Sequence, residues 1–115
     1  NRLNVHPLVE LSLVSGVGQP AAFALVVLAE EARATVHEAG AREAACLELE
    51  ALLDRVNADL ADYEKLQMLV VVHEPWTIEN GCLTPTMKVK RARIEATVAD
   101  RIDGWYASQR RIIWS

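Results

Sequence analysis

From Ala21 to Ala29 the chain reads AAFALVVLA, nine residues without one polar side chain. The run is far too short to span a bilayer as a helix, which needs about 20 apolar residues. It is bounded by the turn-forming stretch Gly16 to Pro20 (GVGQP) on one side and by Glu30-Glu31 on the other. Such a run is predicted to be a central strand covered on both faces, because neither face offers a polar edge to water. The chain must therefore supply apolar layers on both sides of a sheet, and this requirement organises the rest of the sequence.

Those layers are present. Just upstream, Val9, Leu11, Leu13 and Ser15 alternate with Glu10, Ser12 and Val14, the period of a half-buried strand, and GVGQP joins the two strands as a hairpin. The opening NRLNVHPL reads as the end of a short helix stopped at Pro7. Glu30 to Ala39 is predicted as a short polar helix ending at Gly40, a suitable C-cap residue. A longer helix from about Arg42 to Glu64 follows, with Leu49, Leu52, Leu53, Val56, Leu60 and Tyr63 at spacings of three and four. The segment LQMLVVVHEP returns to strand character before Pro75. After the loop WTIENGCLTPT a last helix is predicted from near Val89, its apolar face formed by Ile94, Val98, Ile102, Trp105 and Tyr106. The tail RRIIWS fits neither period clearly. The predicted fold class is α+β, a small mixed or antiparallel sheet of about three strands packed against helices. There is no internal repeat and no low-complexity segment.

Composition fits one domain spanning residues 1–115. At 51% hydrophobic residues, the chain has enough apolar surface to offset chain entropy, and a domain of this size buries roughly 65% of its unfolded surface. The net charge of −4 argues against general nucleic-acid binding, which needs a broad basic footprint. Cys46 and Cys82 form no CxxC or CxxH pair, so no zinc site is expected and free thiols in a reducing compartment are the default. No signal peptide is visible. His6, His37 and His73 share no ligand spacing and are read as structural or surface residues, and no metal site is expected. GVGQP lacks the spacing of a phosphate-binding glycine loop and precedes a strand, so it is read as a turn. The carboxylates of Glu43, Glu48, Glu50 and Asp54 interleave with an apolar helical face and are read as solvated.

One feature runs against the acidic balance. In NGCLTPTMKVKRARIE, from Asn80 to Glu95, four cations crowd together at Lys88, Lys90, Arg91 and Arg93. Asn80-Gly81 is a strong turn signal and Thr84-Pro85-Thr86 stiffens the chain. Composition alone favours an exposed first turn of helix. Cations at a helix N-terminus, however, oppose the macrodipole, which favours anions there. A cluster set against a local preference points to function. A lysine at the lip of a loop offers a compact point charge suited to phosphate and carboxylate oxygens.

The run from Asn80 to Arg91 resembles the NG-LTPT-K-KR signature near the end of long-chain acyl-CoA synthetases. These belong to the AMP-forming adenylating superfamily, with the luciferases and the adenylation domains of peptide synthetases. His6 to Glu10, with Val14 and Gly16, is similar to an upstream stretch of the same family, and Ala24 to Val27 to its central strand. The resemblance runs in order along nearly the whole chain, and the TPT-K-KR motif is its most specific part. It implies the small C-terminal lid domain of such an enzyme, inactive alone. The large N-terminal domain with the ATP loops and acyl pocket would be absent, as would the preceding hinge, in keeping with a start at Asn1 that reads as mid-helix.

Members activate a carboxylate with ATP to an acyl-adenylate, release pyrophosphate, and pass the acyl group to the CoA thiol. The small domain rotates between the two half-reactions. The resemblance therefore implies ATP with Mg2+ and CoA in the full-length enzyme, none of them bound to this fragment. It also implies the N-terminal domain, a fatty acid, ATP and CoA as partners. A cytoplasmic enzyme is expected, with peripheral membrane contact compatible with a long-chain substrate. The family's adenylation lysine falls on Lys88, with Lys90 its nearest competitor. Arg91 and Lys90 become candidate contacts to phosphate or CoA, while Thr84 and Thr86 are expected to shape the loop. One departure is Ala92, where many relatives carry a second basic residue, and Arg93 is the nearest replacement. Two alternatives stay open: a stand-alone interaction module with a basic helix, and the same lid serving a fatty acyl-AMP ligase or a carboxylic acid reductase.

Overall fold

A computed structural model describes residues 2–16 and 18–115. Asn1 and Val17, and with them the mid-helix start and the middle of the GVGQP turn, lie outside the described residues. The elements run in chain order as a 3₁₀ turn at Arg2–Val5, β1 Val9–Ser15, β2 Ala22–Leu28, α1 Glu30–Thr35, α2 Ala39–Ala58, a second 3₁₀ turn at Asp62–Glu64, β3 Leu66–Val71, α3 Arg91–Val98, α4 Ile102–Ser108 and β4 Ile112–Trp114. The strands form one sheet in the order β1-β2-β3-β4. β1 is antiparallel to β2, whereas β2, β3 and β4 are mutually parallel. The fold is thus the α+β class read from the sequence, with a fourth strand supplied by the ambiguous tail.

β2 is one of the sheet's two inner strands and is buried from Phe23 to Leu28. Its side chains divide between two cores. Ala24, Val26 and Leu28 face α2, where Leu49, Leu52, Leu53 and Val56 meet them together with Leu69, Val71 and Ile112. Phe23, Leu25 and Val27 face the other way, toward Met68, Val70, Trp76, Leu83, Ile94, Val98, Trp105 and Ile113. Phe23 anchors this second core by edge-to-face contacts with Trp105 and Tyr106, at centroid distances of 6.0 Å and 5.9 Å. The Tyr106 phenol donates to the Ala21 carbonyl, and burial raises its pKa above the ordinary 10.0.

β1 departs from the simple alternation of its sequence. Val9 opposes Leu28 and Leu11 opposes Val27, so the extra residue Glu10 makes a β-bulge. A one-residue slip exchanges the two faces. Val9 accordingly joins the α2 core while Leu13 joins the opposite one. The β1–β2 hairpin then closes at Gly16, whose φ of +121° suits glycine and whose added Cβ would lie 2.9 Å from the Ala22 Cα.

The helices also correct the sequence reading at particular points. Gly40 is the second residue of α2 and caps nothing, because α1 already ends at Thr35 and Glu38 precedes α2 as its N-cap. α2 stops at Ala58 rather than near Glu64. Beyond it the chain turns through Asp62–Glu64, and Tyr63 is 85% exposed instead of facing the core. Asn57 explains the stop. Its side chain accepts the Leu66 N–H at 2.8 Å and donates to the Leu66 carbonyl at 2.9 Å, so the last turn of α2 is clamped to the first residue of β3. The last predicted helix is two helices that break between Val98 and Ile102 while keeping one apolar face.

The connections have a consequence for the sheet's edge. The β2-to-β3 connection passes over one face through α1 and α2, and the β3-to-β4 connection passes over the other through α3 and α4. Both advance in the same direction across the sheet. The two crossovers therefore have opposite hands, and one departs from the strong right-handed preference. The chain leaves the carboxyl ends of β2 and β3 toward opposite faces, which opens a crevice between them.

Two stability predictions follow from these contacts. Leu53 is fully buried, so Leu53→Ala should destabilise the fold by about 2–5 kcal/mol, read as a lower urea midpoint with an unchanged slope. Asn57→Ala leaves the Leu66 backbone groups without their clamp and should cost about 1–3 kcal/mol in the same assay, with local exchange of the Leu66 amide rising more than that of Val70.

Candidate active site

The segment between β3 and α3 is built from the inside outward. Trp76, Cys82 and Leu83 are buried in the core that faces α3. Between them Asn80 organises the backbone. Its Oδ1 accepts the N–H groups of Thr77 at 3.0 Å and Cys82 at 3.1 Å, and its Nδ2 donates to the Pro75 carbonyl at 2.9 Å. The Asn80 N–H donates in turn to the Thr77 hydroxyl at 3.0 Å. Gly81 follows at φ +82°, and an added Cβ there would lie 3.4 Å from the Arg93 side chain. Asn80-Gly81 is thus the turn read from the sequence. The bonding of the Asn80 amide was not read there, although a Thr three residues ahead of an Asn is the pattern such reciprocal bonds require.

From Cys82 to Lys90 the chain forms a miniature β-hairpin. Leu83 and Val89 make an antiparallel bridge. The Lys90 N–H donates to the Cys82 carbonyl and the Thr84 N–H to the Lys88 carbonyl, both at 2.8 Å. The Met87 N–H closes a turn on the Thr84 carbonyl at 2.8 Å, with Pro85 at the turn's second position, where its fixed φ is favourable. Met87 then takes φ +66°. This is the three-residue hairpin loop in which a turn is followed by a left-handed residue. A non-glycine residue in that conformation costs on the order of 1 kcal/mol or more, and such strain gathers at functional sites.

Lys88 comes directly after the strained residue. Thr84 holds both of its backbone polar groups: the Thr84 N–H donates to the Lys88 carbonyl, and the Thr84 hydroxyl accepts the Lys88 N–H at 3.0 Å. The Thr86 hydroxyl lies 3.0 Å from that of Thr84. The expectation that Thr84 and Thr86 shape the loop therefore matches the geometry. The Lys88 side chain is exposed, and its ammonium has no hydrogen-bond or ion-pair partner among the described residues.

The other cations are placed differently. Lys90 is the N-cap of α3, with its side chain exposed. The Arg91 Nη1 donates to the Val14 carbonyl at 2.6 Å and lies 3.5 Å from the Glu95 carboxylate, which also accepts the Ser15 hydroxyl at 2.5 Å. Arg91 thereby ties α3 to the end of β1. The Arg93 Nη2 reaches the Asn80 carbonyl at 3.5 Å. The helix-dipole conflict concerns Lys90, Arg91 and Arg93 but not Lys88, since α3 begins at Arg91 with Lys90 as its N-cap, and the Glu95 carboxylate offsets Arg91. Behind the hairpin lies a cavity of about 360 Å³ lined by Trp76, Asn80, Cys82, Arg93 and Val98 among others.

The remaining candidates are not gathered here. Both cysteines are free thiols, Cys82 buried and Cys46 half-buried. His6 accepts the Leu8 N–H at 3.1 Å, while His37 and His73 are exposed. Among the described residues no three His, Cys, Asp or Glu side chains converge as a metal-ligand group, and no helix is long and apolar enough to cross a membrane.

Comparison with known proteins carries the geometry further. Long chain acyl-CoA synthetase 7, peroxisomal, of Arabidopsis thaliana is 44% identical over 50 residues, covering 44% of this chain and 7% of that protein. Fatty acyl-CoA synthetase A of Dictyostelium discoideum is 43% identical over 54 residues, covering 47% of this chain and 8% of that protein. This chain thus spans less than a tenth of either relative's length. Among solved structures, the A domain of a carboxylic acid reductase from Segniliparus rugosus, in complex with AMP and a co-purified carboxylic acid, superposes with a TM-score of 0.73 at 28% identity, over 95% of this chain and 17% of that one. The family described as AMP-binding enzyme C-terminal domain matches residues 1–110, and the chain belongs to that family.

Proposed function

We propose that the chain is the catalytic lid of an ATP-dependent long-chain fatty acid–CoA ligase, inactive alone, with Lys88 as its catalytic residue. The observation that carries this reading is the Lys88 backbone held on both sides by Thr84 while its ammonium stays unpaired at the hairpin lip. A cation so placed is available to a reacting group on a partner domain.

In adenylation the substrate carboxylate attacks the α-phosphorus of ATP and pyrophosphate leaves. Negative charge develops on the α-phosphate oxygens while the attacking carboxylate loses its own. A fixed ammonium aimed there stabilises the transition state more than the ground state. Lys90, exposed two residues further along the same hairpin, is the further contact proposed for phosphate or CoA. Arg91 is proposed for the same task through the guanidinium edge that Val14 and Glu95 leave free. Mg2+ would travel with the ATP phosphates, for this chain offers an ammonium there rather than a carboxylate cluster. The lid would then rotate so that a second face meets the large domain during thioester formation.

A second reading, the lid of a carboxylic acid reductase, is favoured by the likeness to the S. rugosus adenylation domain. It assigns Lys88 the same task and differs in the acceptor of the acyl group. Supplying the parent enzyme with fatty acid and ATP, with CoA as the sole acyl acceptor, and reading acyl-CoA as product, separates the two.

In the parent enzyme Lys88→Ala should lower the rate of acyl-adenylate formation by about 10²–10³-fold. Thioester formation from preformed acyl-adenylate should stay within a few-fold of the unaltered rate. Pyrophosphate release and acyl-CoA formation measured separately check this, and equal loss of both in a folded variant would remove Lys88 from the adenylation step. Thr84→Val removes the acceptor for the Lys88 N–H. It should slow adenylation by about tenfold, a loss of roughly 1.4 kcal/mol, while leaving the urea midpoint of the domain nearly unchanged.

A further inference from the structure

At the carboxyl ends of the parallel strands lies a second cavity, of about 270 Å³, which shares no residue with the Lys88 hairpin. Leu28 ends β2 there, Val71 ends β3, and Trp114 ends β4. α1 and the start of α2 close its other side with Arg33, His37 and Arg42, and His73 faces in from the residues after β3. No Asp or Glu side chain lines it, and Ser115 completes the lining. In an acidic chain, two guanidinium groups and two imidazoles around one concavity run against the average surface.

The two arginines are fixed in ways that leave donors free. The Arg33 Nη1 donates to the Leu28 carbonyl at 2.6 Å and lies 3.6 Å from Glu10, whereas Nη2 and Nε have no partner among the described residues. The Arg42 guanidinium lies 4.6 Å above the Trp114 ring and has no ion-pair partner among the described residues. A guanidinium held over an indole face by cation–π attraction keeps the N–H groups that point away from the ring available. Trp114 is itself oriented by donation from Nε1 to the Cys46 sulfur at 2.9 Å. The position has a topological reason as well. The chain leaves β2 and β3 toward opposite faces, and ligands of open parallel sheets bind in the crevice that such a divergence creates.

From this convergence we infer a binding site for a small phosphoryl anion, separate from the Lys88 site and independent of the ligase reading. Arg42 and Arg33 supply in-plane donors to phosphate oxygens. The volume lies just below the roughly 300–1,000 Å³ of sites for drug-sized ligands, which fits a phosphate-sized group better than a whole nucleotide.

Inorganic phosphate is the probe. Titrated at constant ionic strength into the isotope-labelled 115-residue chain, it should shift the Trp114 indole N–H resonance along a saturable curve, while chloride leaves that resonance in place. Arg42→Gln should weaken the binding by about tenfold. A shift that grows linearly without saturation overturns the site, as does a strongest response at Lys88 or Lys90, or an unchanged affinity in a folded Arg42→Gln variant. If Arg42→Gln loses the dispersed spectrum of a folded chain, His37→Glu decides. His37 is exposed and without a side-chain partner among the described residues, so the substitution adds charge without removing packing. It should weaken binding by about tenfold or more, and unchanged affinity there overturns the proposal.

Discussion

Burial of β2 on both faces is the constraint on which the other layers depend. Phe23 to Leu28 alternate between two cores, so each helical layer exists to remove one side of the same strand from water. Burying a large apolar side chain is worth roughly 1.5–3 kcal/mol, and five of these six qualify. Losing either layer would expose about half of that set. The two cores are therefore coupled through one strand, although no α2 residue belongs to the core that α3 and α4 cover. The β1 bulge at Glu10 serves the same end, since it lets one edge strand contribute Val9 to one core and Leu13 to the other.

The hairpin that carries Lys88 inherits its rigidity from this arrangement. Leu83 is sunk in the core, Asn80 fixes the turn before it, and Arg91 fastens the helix after it to the end of β1. Only the tip from Thr84 to Lys88 leaves the body of the domain, and there one threonine holds the lysine's backbone through both polar groups. Side-chain freedom remaining on a fixed backbone suits the catalytic role proposed for Lys88. The ammonium can search for an oxygen without the loop reordering, so less entropy is lost on docking.

Much of the fold was legible because periodicity reports burial directly. The apolar run of β2, the spacing of Leu49, Leu52, Leu53 and Val56, and the face from Ile94 to Trp105 each appear in the structure where the pattern put them. The misreadings share one cause. Tyr63 continues the helical spacing, but a distant contact between Asn57 and Leu66 ends the helix first. Val9 fits the alternation of β1, but register against Leu28 decides its face. β4 is too short to show a period, and pairing with β3 makes it a strand. At the hairpin, Asn80-Gly81 and the Thr-Pro-Thr stiffening could be read locally. The division of labour among the cations could not, because whether Arg91 is free or fastened depends on a Val14 carbonyl 77 residues away.

That division bears on how an acidic domain handles anions at all. Arg91 and Arg93 are engaged with the protein's own carbonyls, so half of the cluster that looks like one basic patch in sequence is fastened to the fold. Lys88 on the hairpin lip and Arg42 above Trp114, at the carboxyl ends of the strands, are two of the cations without an ion-pair partner among the described residues. They are chemically unlike. A lysine on a flexible stem is a movable point charge, suited to charge that develops and disperses during a reaction, whereas a stacked guanidinium is a fixed planar fork suited to holding a formed anion. Against a net charge of −4, an anion is held best where no Asp or Glu side chain enters the lining, as in the cavity beside Trp114.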